Sequence, residues 1–207
     1  MAPPESSSLV DEHSVFINVP FDTGYSSLFI ALIAGLTALG RTPRCVLEVP
    51  SDGRNRLERI FGLIASCGAS IHDLSRVTLS GDLNVPRFNM PFELGMAYAL
   101  CELRSHSFFV LEEKPFRLQA SLSDLNGHDP HIHMGDPPGI LRCLLDCFGA
   151  SASAPPLSSL ESLNRRLAQT TLRIQRTQRT DGLFHPHLFR EIAGAAVRIA
   201  RARGLIR

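Results

Sequence analysis

The chain has 207 residues, and its charge is nearly balanced, with 21 Lys and Arg against 20 Asp and Glu. Hydrophobic residues make up 44% and charged residues 20% of the sequence, which is typical of one globular domain and excludes disordered and fibrous classes. No apolar run reaches the roughly 18 to 20 residues that a membrane-spanning helix requires.

The two ends of the chain differ from its body. Residues 1–13 are rich in Pro and Ser and are predicted to form a disordered tail without the features of a signal peptide, so we expect a cytoplasmic protein. Residues 157–207 contain ten Arg and three acidic residues, a charge of +7, whereas the rest has eleven basic and seventeen acidic residues, a charge of −6. The five cysteines have no metal-binding or redox spacing, which favours reduced thiols.

Short apolar runs alternate with helix-like segments along residues 14–150. This alternation predicts βαβ units and a parallel sheet that is covered on both faces. We therefore expect an α/β fold, a flavodoxin-like three-layer sandwich of about five mostly parallel strands in the order 2-1-3-4-5. The predicted strands are 14–20, 44–49, 69–73 and 108–111 with a weaker one near Ile132, and the predicted helices are 28–39, 55–67, 91–103 and 139–148.

Two further helices are predicted in the basic segment, at 157–179 and 186–203, after a linker at 151–156. Each has a narrow apolar seam and a basic exterior. Apolar residues at seam spacing need burial, whereas a nucleic-acid arm needs only exposed charge. We expect this two-helix appendage to pack on the acidic domain or to pair between subunits as a homo-oligomer, with nucleic-acid binding as the less favoured alternative. The seam residues are Leu157, Leu160, Leu163, Leu167 and Ile174, then Leu188, Ile192, Ala195, Ala196 and Ile199.

In an open parallel sheet, ligands bind beyond the carboxyl ends of the strands, where the strand order reverses. Here that crevice is predicted between the loops after the first and third strands, with the first turn of the next helix beside it. Each carboxylate in the crevice also has a structural explanation, as a turn, a loop contact or a helix start. The carboxylates expected to converge are Asp22, Asp73 and Glu93, and their neighbours are Tyr25, Ser75, Arg76 and Asn89.

Several common motifs are missing. The sequence has no phosphate-binding P-loop, no Gly-x-Gly-x-x-Gly after the first strand and no Gly-x-Ser-x-Gly elbow. The tract from His128 to His133 contains three histidines, two of which share a face if the tract is extended. A metal site is one interpretation, but a turn or strand edge with solvated histidines is favoured.

Three segments resemble the nucleoside 2-deoxyribosyltransferase family. They are Val15-Phe-Ile-Asn-Val-Pro-Phe21, Ile71-His-Asp73 and Pro91-Phe-Glu-Leu-Gly-Met-Ala97, the last followed by the strand at 108–111. The same architecture is similar to the Toll/interleukin-receptor-like NAD hydrolases of bacterial defence. The resemblance covers about residues 14–150. The loop at 74–90 is longer than in that family, and residues 157–207 have no counterpart.

The resemblance implies an N-glycosidase or ribosyltransferase acting on a nucleoside, a nucleotide or NAD, without a cofactor or metal. Glu93 would be the nucleophile or ion-pair partner of an oxocarbenium-like sugar, and Asp73 would orient the ribose or the leaving base. A neutral base also needs a proton, from Asp22 or Asp73, whereas nicotinamide leaves NAD without one. The alternative is a non-catalytic nucleotide-sensing or protein-interaction module. The implied substrate-binding residues are Pro20, Phe21, Asp22, Tyr25, Ser75, Arg76, Asn89 and Met90.

Overall fold

The apolar segments that alternate along the chain pair side by side into one parallel sheet. A computed structural model describes residues 10–48, 55–76, 79–80, 85–86, 88–125 and 127–207. The strands are β1 (Asp11–Asn18), β2 (Thr42–Arg44), β3 (Cys67–Asp73), β6 (Ser107–Glu112) and β7 (His131–Ile132), and β4 (Leu79–Ser80) pairs with β5 (Val85–Pro86) in a separate antiparallel ribbon. The sheet order is β2-β1-β3-β6-β7 with every neighbouring pair parallel. This confirms the predicted α/β class, the flavodoxin-like sandwich and the strand order.

Helices cover both faces of this sheet. They are α1 (Ser26–Ala38), α2 (Arg56–Ser66), α3 (Asn89–Leu103), α4 (Arg117–Ser121), α5 (Pro137–Phe148), α6 (Leu157–Gln178) and α7 (Pro186–Ala202). Helices α1 and α5 pack on one face, whereas α2 and α3 pack on the other. Within the described ranges, no helix is both long and apolar enough to cross a bilayer.

Two predicted boundaries are wrong. Strand β1 begins at Asp11, which pairs with Cys67 of β3, so the last residues of the expected 1–13 tail belong to the sheet. Residues 1–9 lie outside the described residues. The second strand ends at Arg44, before a 3₁₀ turn at Val46–Glu48. The chain curls there because the Glu48 carboxylate accepts hydrogen bonds from Arg44 Nε at 2.7 Å and from the Cys45 backbone N–H at 3.1 Å.

Helix α1 is apolar on all sides. Every residue from Leu28 to Ala38 is buried, and a helix without a polar face must be enclosed by other elements. The sheet covers one side of α1, and α5, α6 and α7 cover the rest. Packing against α5 is close at Gly35, where an added Cβ would clash with Leu144 Cδ1.

The C-terminal hairpin, formed by α6 and α7, supplies this cover and belongs to the main core. Its seam therefore packs on the domain of the same chain, one of the two predicted arrangements, and the homo-oligomer stays a prediction. The turn of the hairpin also reaches the loop after β1, since the Phe184 and Phe21 ring centroids lie 5.3 Å apart. The hairpin residues in the core with less than 4% exposure are Leu160, Leu163, Leu167, Leu183, Leu188, Phe189, Ile192, Ala195, Ala196 and Ala200.

The basic exterior of the hairpin faces solvent. The ten arginines of residues 157–207 are all exposed, and within the described part of the chain none of them forms an ion pair with the side chain of an Asp or Glu. The few hydrogen bonds that these arginines donate go to hydroxyl or main-chain oxygens, such as the bond from Arg173 to Thr170 Oγ1. The apolar residues of the hairpin thus pack inside the molecule, and its arginines face the solvent.

Leu163→Ala should lower the free energy of unfolding by about 3 kcal/mol, because it opens a cavity where α6 covers α1. Leu172→Ala on the same helix is the matched control, since Leu172 is 55% exposed. It should change the stability by less than about 0.5 kcal/mol. Urea denaturation of both variants measures the difference. If both variants lost the same small amount of stability, the burial of α1 by the hairpin would be contradicted.

Candidate active site at the carboxyl edge of the sheet

The strand order reverses between β1 and β3, and the residues that follow these strands form the carboxyl edge of the sheet. Alternation along β3 decides which face each side chain meets. Ala69 and Ile71 belong to the core with α1 and α5, so Asp73 points to that face too. Glu93 lies on α3, which covers the opposite face. The predicted convergence of Asp73 and Glu93 in one cluster is therefore wrong, because the sheet separates them.

The Asp73 cluster consists of Asp73, Tyr25, Ser75 and His133. Asp73 Oδ2 accepts a hydrogen bond from the Tyr25 hydroxyl and lies 3.1 Å from His133 Nε2. Its Oδ1 accepts from the Ser75 backbone N–H at 2.8 Å and from the Ser75 hydroxyl. Asp73, Tyr25 and His133 have no exposed surface, and Ser75 is buried. One carboxylate thus ties together the loops that follow β1, β3 and β7.

This cluster differs from a nucleophilic Ser-His-Asp site. His133 Nδ1 accepts a hydrogen bond from the Gly135 backbone N–H at 3.0 Å, so a neutral His133 has its proton on Nε2. That nitrogen faces both Ser75 Oγ, at 2.8 Å, and Asp73. No lone pair is then left to take a proton from Ser75, as nucleophilic catalysis requires. Burial, then the charge of Asp73, raises the pKa of Tyr25 well above its usual value, so Tyr25 stays a neutral donor.

Asp22 has the structural role that its turn position suggested. Its Oδ1 accepts from the Tyr25 backbone N–H at 3.1 Å and begins the 3₁₀ turn at Thr23–Tyr25. The same oxygen pairs with Arg76 Nη1 at 3.0 Å. Asp22 and Arg76 therefore link the loops after β1 and β3 outside the Asp73 cluster.

Glu93 lines a separate cavity of about 300 Å³, which we call the Glu93 cavity. Glu93 is buried, with 7% of the residue's surface exposed. Burial raises the pKa of Glu93 to about 7, and the positive charge of Arg56 opposes this shift only in part. Of the eight predicted substrate-binding residues, four line this cavity and four do not. Those at the cavity are Pro20, Phe21, Asn89 and Met90, and those outside its lining are Asp22, Tyr25, Ser75 and Arg76.

A buried polar chain leads from this cavity into the sheet. Asn18 lines the cavity and is paired in register with His72 of β3. Asn18 Nδ2 lies 3.0 Å from His72 Nδ1 and donates to the Met90 carbonyl oxygen at 3.1 Å. His72 Nε2 then bonds Ser70 Oγ, which bonds His106 Nε2, both at 2.9 Å. Burial lowers the pKa of His72 to about 3, so its ring stays neutral.

This chain fixes the orientation of the Asn18 amide. Both N–H groups of Asn18 are used, one by His72 and one by Met90, and its Oδ1 has no bonded partner among the described residues. Asn18 thus offers a hydrogen-bond acceptor to a ligand in the cavity, and its bond to Met90 fixes the first turn of α3 near Glu93. Sequence analysis missed Asn18, although a single amide inside an apolar strand was a signal.

Sequence analysis also missed Arg56 and His133. The tract at 128–133 does form a strand edge at β7, as predicted, and His128 is exposed. The expectation that its histidines are solvated is wrong for His133, which is buried against Asp73 because the chain turns inward after β7. Left-handed backbone at Met134 and Gly135 makes this turn.

Asp73→Asn should lower the free energy of unfolding by about 3 kcal/mol, because it removes a buried, charged acceptor from several donors at once. Asp22→Asn is the matched control, since Asn caps a helical turn as well as Asp does. It should cost less than about 1 kcal/mol. Urea denaturation at pH 7 measures both variants. A smaller loss for Asp73→Asn than for Asp22→Asn would show that the cluster does not hold the loops together.

Comparison of the chain with family models, with curated proteins and with solved structures finds no match.

Proposed function

We propose that the chain is an N-glycosidase or ribosyltransferase that cleaves the N-glycosidic bond of a nucleotide, a nucleoside or NAD in the Glu93 cavity. The observation that carries the proposal is a buried carboxylate with a pKa of about 7 in a cavity where the strand order reverses. Perturbed carboxylates in clefts are typical of catalytic groups. The cavity volume of about 300 Å³ lies at the lower end of the range for small-molecule sites.

The chemistry fits both protonation states of Glu93. Cleavage of an N-glycosidic bond passes through an oxocarbenium-like sugar, which an ionised carboxylate stabilises or traps covalently. A protonated carboxylic acid can instead donate to a departing base. With a pKa of about 7, Glu93 populates both states at neutral pH. A cationic substrate in the cavity would lower this pKa and ionise Glu93.

Two neighbours suggest how a substrate is held. Arg56 lines the cavity, and a guanidinium group binds phosphate oxygens in pairs. This favours a phosphate-bearing substrate, a nucleotide or NAD, over a free nucleoside. Asn18 Oδ1 can accept a hydrogen bond from a sugar hydroxyl or a base amine.

Asp73 takes a different role in this proposal from the one that the resemblance implied. Its carboxylate has no exposed surface, and both of its oxygens are occupied by Tyr25, Ser75 and His133. We therefore assign Asp73 as a positioning residue, which holds the loops at the carboxyl edge, and not as a direct ligand of ribose.

A sensing module is the second candidate function, and one observation favours it. Phe21 lines the Glu93 cavity and packs on Phe184 in the turn of the C-terminal hairpin. A ligand that moves Phe21 would thus move the hairpin. Binding of NAD or a nucleotide without any turnover would support this function and exclude the enzymatic one.

Glu93→Gln should lower the rate of base or nicotinamide release about a hundredfold or more, because the amide keeps the shape but loses the charge and the proton. Purified protein is incubated with NAD and with a panel of nucleosides and nucleotides, and the products are separated by chromatography. Glu102→Gln, on the same helix but exposed, is the control and should keep full activity. Unchanged release by Glu93→Gln would contradict the assignment of Glu93.

Glu93→Gln should become more stable than the wild type as the pH rises. The pKa of Glu93 is about 7 in the folded protein against an ordinary value of 4.5, so between these values the folded state binds more protons than the unfolded state. Glu93 therefore destabilises the wild type progressively from about pH 4.5 to 7. Relative to wild type, Glu93→Gln should be about 3 kcal/mol more stable at pH 8 and equal near pH 4. A pH-independent difference in urea denaturation would contradict the raised pKa.

The pH dependence of kcat/KM should identify which form of Glu93 acts. If Glu93 protonates a leaving base, the rate falls above about pH 7. If the ionised form opposes the sugar cation, as for NAD, the rate rises to a plateau above about pH 7. A profile without an inflection near pH 7 for any accepted substrate would show that Glu93 does not titrate in the reaction.

A further inference from the structure

A larger cavity lies at the opposite edge of the sheet, where the strands begin. We call it the amino-edge cavity, and its volume is about 970 Å³. The end of α1 and the start of β2 form one wall, and the end of α7 forms another. Residues 151–155, between α5 and α6, and residues 204–207 complete it. None of the residues assigned to the Glu93 cavity or the Asp73 cluster lines it, so it is independent of the proposed function.

The amino-edge cavity is positively charged. Arg41, Arg201 and Arg207 line it, and no acidic residue does. Arg41 donates one hydrogen bond to the Glu12 carbonyl oxygen, and Arg201 donates one to the Arg207 carbonyl oxygen. Each guanidinium has five N–H donors, and neither group is paired with the side chain of an Asp or Glu among the described residues. Most of their hydrogen-bonding capacity is therefore free for a ligand.

The remaining wall is largely apolar. Phe148, Val197, Leu205 and Ile206 line it, and the Phe148 ring lies 5.3 Å from the Arg41 guanidinium carbon. Two small residues of α7, Ala193 and Gly194, face the same space. A Cβ added at Gly194 would find only the tip of the Arg198 side chain within 4 Å, at 3.4 Å. The helix thus leaves room for a bulky apolar group.

A buried hydroxyl in the lining lacks a partner. Thr37 lines the cavity, is 2% exposed, and its Oγ1 makes no hydrogen bond within the described part of the chain. A buried polar atom without a partner costs free energy, commonly about 1 to 3 kcal/mol, unless a ligand or water satisfies it. The oxygen itself has almost no exposed surface, so the arginines and the apolar wall, and not this hydroxyl, are the groups that a ligand would contact.

We propose that the amino-edge cavity binds an amphiphilic organic anion, a phosphate or carboxylate group attached to an apolar body. The anionic group would pair with Arg41 and Arg201, and the apolar body would pack on Phe148 and Val197. The C-terminal ends of α1, α5 and α7 also meet here, and their partial negative charges oppose an anion. Each guanidinium carries a full positive charge and several N–H donors, whereas each helix end carries about half a negative charge, so an anionic group that bonds Arg41 and Arg201 directly is still attracted.

Hexyl phosphate is a suitable probe, because it combines a phosphate with a short apolar chain. Isothermal titration calorimetry should detect saturable binding at one site, at least tenfold tighter than binding of inorganic phosphate or of hexanol. Hexanoate should also bind, since the head group need only be anionic. Arg201→Ala should weaken the binding of hexyl phosphate at least tenfold.

Two further variants complete the test. Gly194→Leu places a bulky side chain beside Val197 in the part of the cavity assigned to the apolar body, and it improves the helix propensity of α7, so it should raise the melting temperature and weaken binding at least tenfold. Arg165→Ala, which removes an exposed hairpin arginine outside the cavity, should bind like wild type. The proposal is overturned if hexyl phosphate shows no saturable binding, or if binding survives in both Arg201→Ala and Gly194→Leu. It is also overturned if Arg165→Ala weakens binding as much as Arg201→Ala does.

Discussion

Helix α1 must be kept from water on every side, and most of the architecture follows from that constraint. A parallel sheet covers only one side of a helix, and α5 covers a second, so the C-terminal hairpin is needed to enclose the rest. The leucines of α6 and α7 are committed to this contact, which is why the hairpin shares a core with the sheet. The two ends of α1 then lie at opposite edges of the sheet, one near the Asp73 cluster and the other at the amino-edge cavity.

The carboxyl edge of the sheet divides into a structural side and a chemical side. On the α1 side, Asp73 is enclosed by donors from three loops and has no surface left for a ligand. On the α3 side, Glu93 has few partners and lies against a cavity, which leaves its carboxyl group able to gain or lose a proton near neutral pH. The two acidic residues thus differ in role. Hydrogen-bond donors surround the buried carboxylate of Asp73 and make it a structural tie, whereas the buried carboxyl group of Glu93 has few such donors and stays available to a ligand.

The order of the strands and the positions of the long helices were predictable from sequence, since apolar periodicity reports burial directly. Contacts that depend on one side chain were not predictable from the sequence. Glu48 curls the chain after β2, and no periodicity reveals that capping contact. The separation of Asp73 from Glu93 follows from alternation along β3, but only once the face covered by each helix is known. His133 resembled a solvated histidine because its burial depends on a turn that brings it back to Asp73.

The exposed arginines of the hairpin give the molecule an uneven distribution of charge. Ten guanidinium groups lie on one segment with a charge of +7, whereas the rest of the chain carries −6, so a net charge of +1 conceals a large dipole moment. A protein of this kind orients in the field of any charged surface that it approaches. Near a polyanionic surface, the hairpin would turn toward that surface and the acidic body away from it. Its behaviour on an ion-exchange matrix would accordingly reflect the hairpin more than the sequence pI of about 7.8.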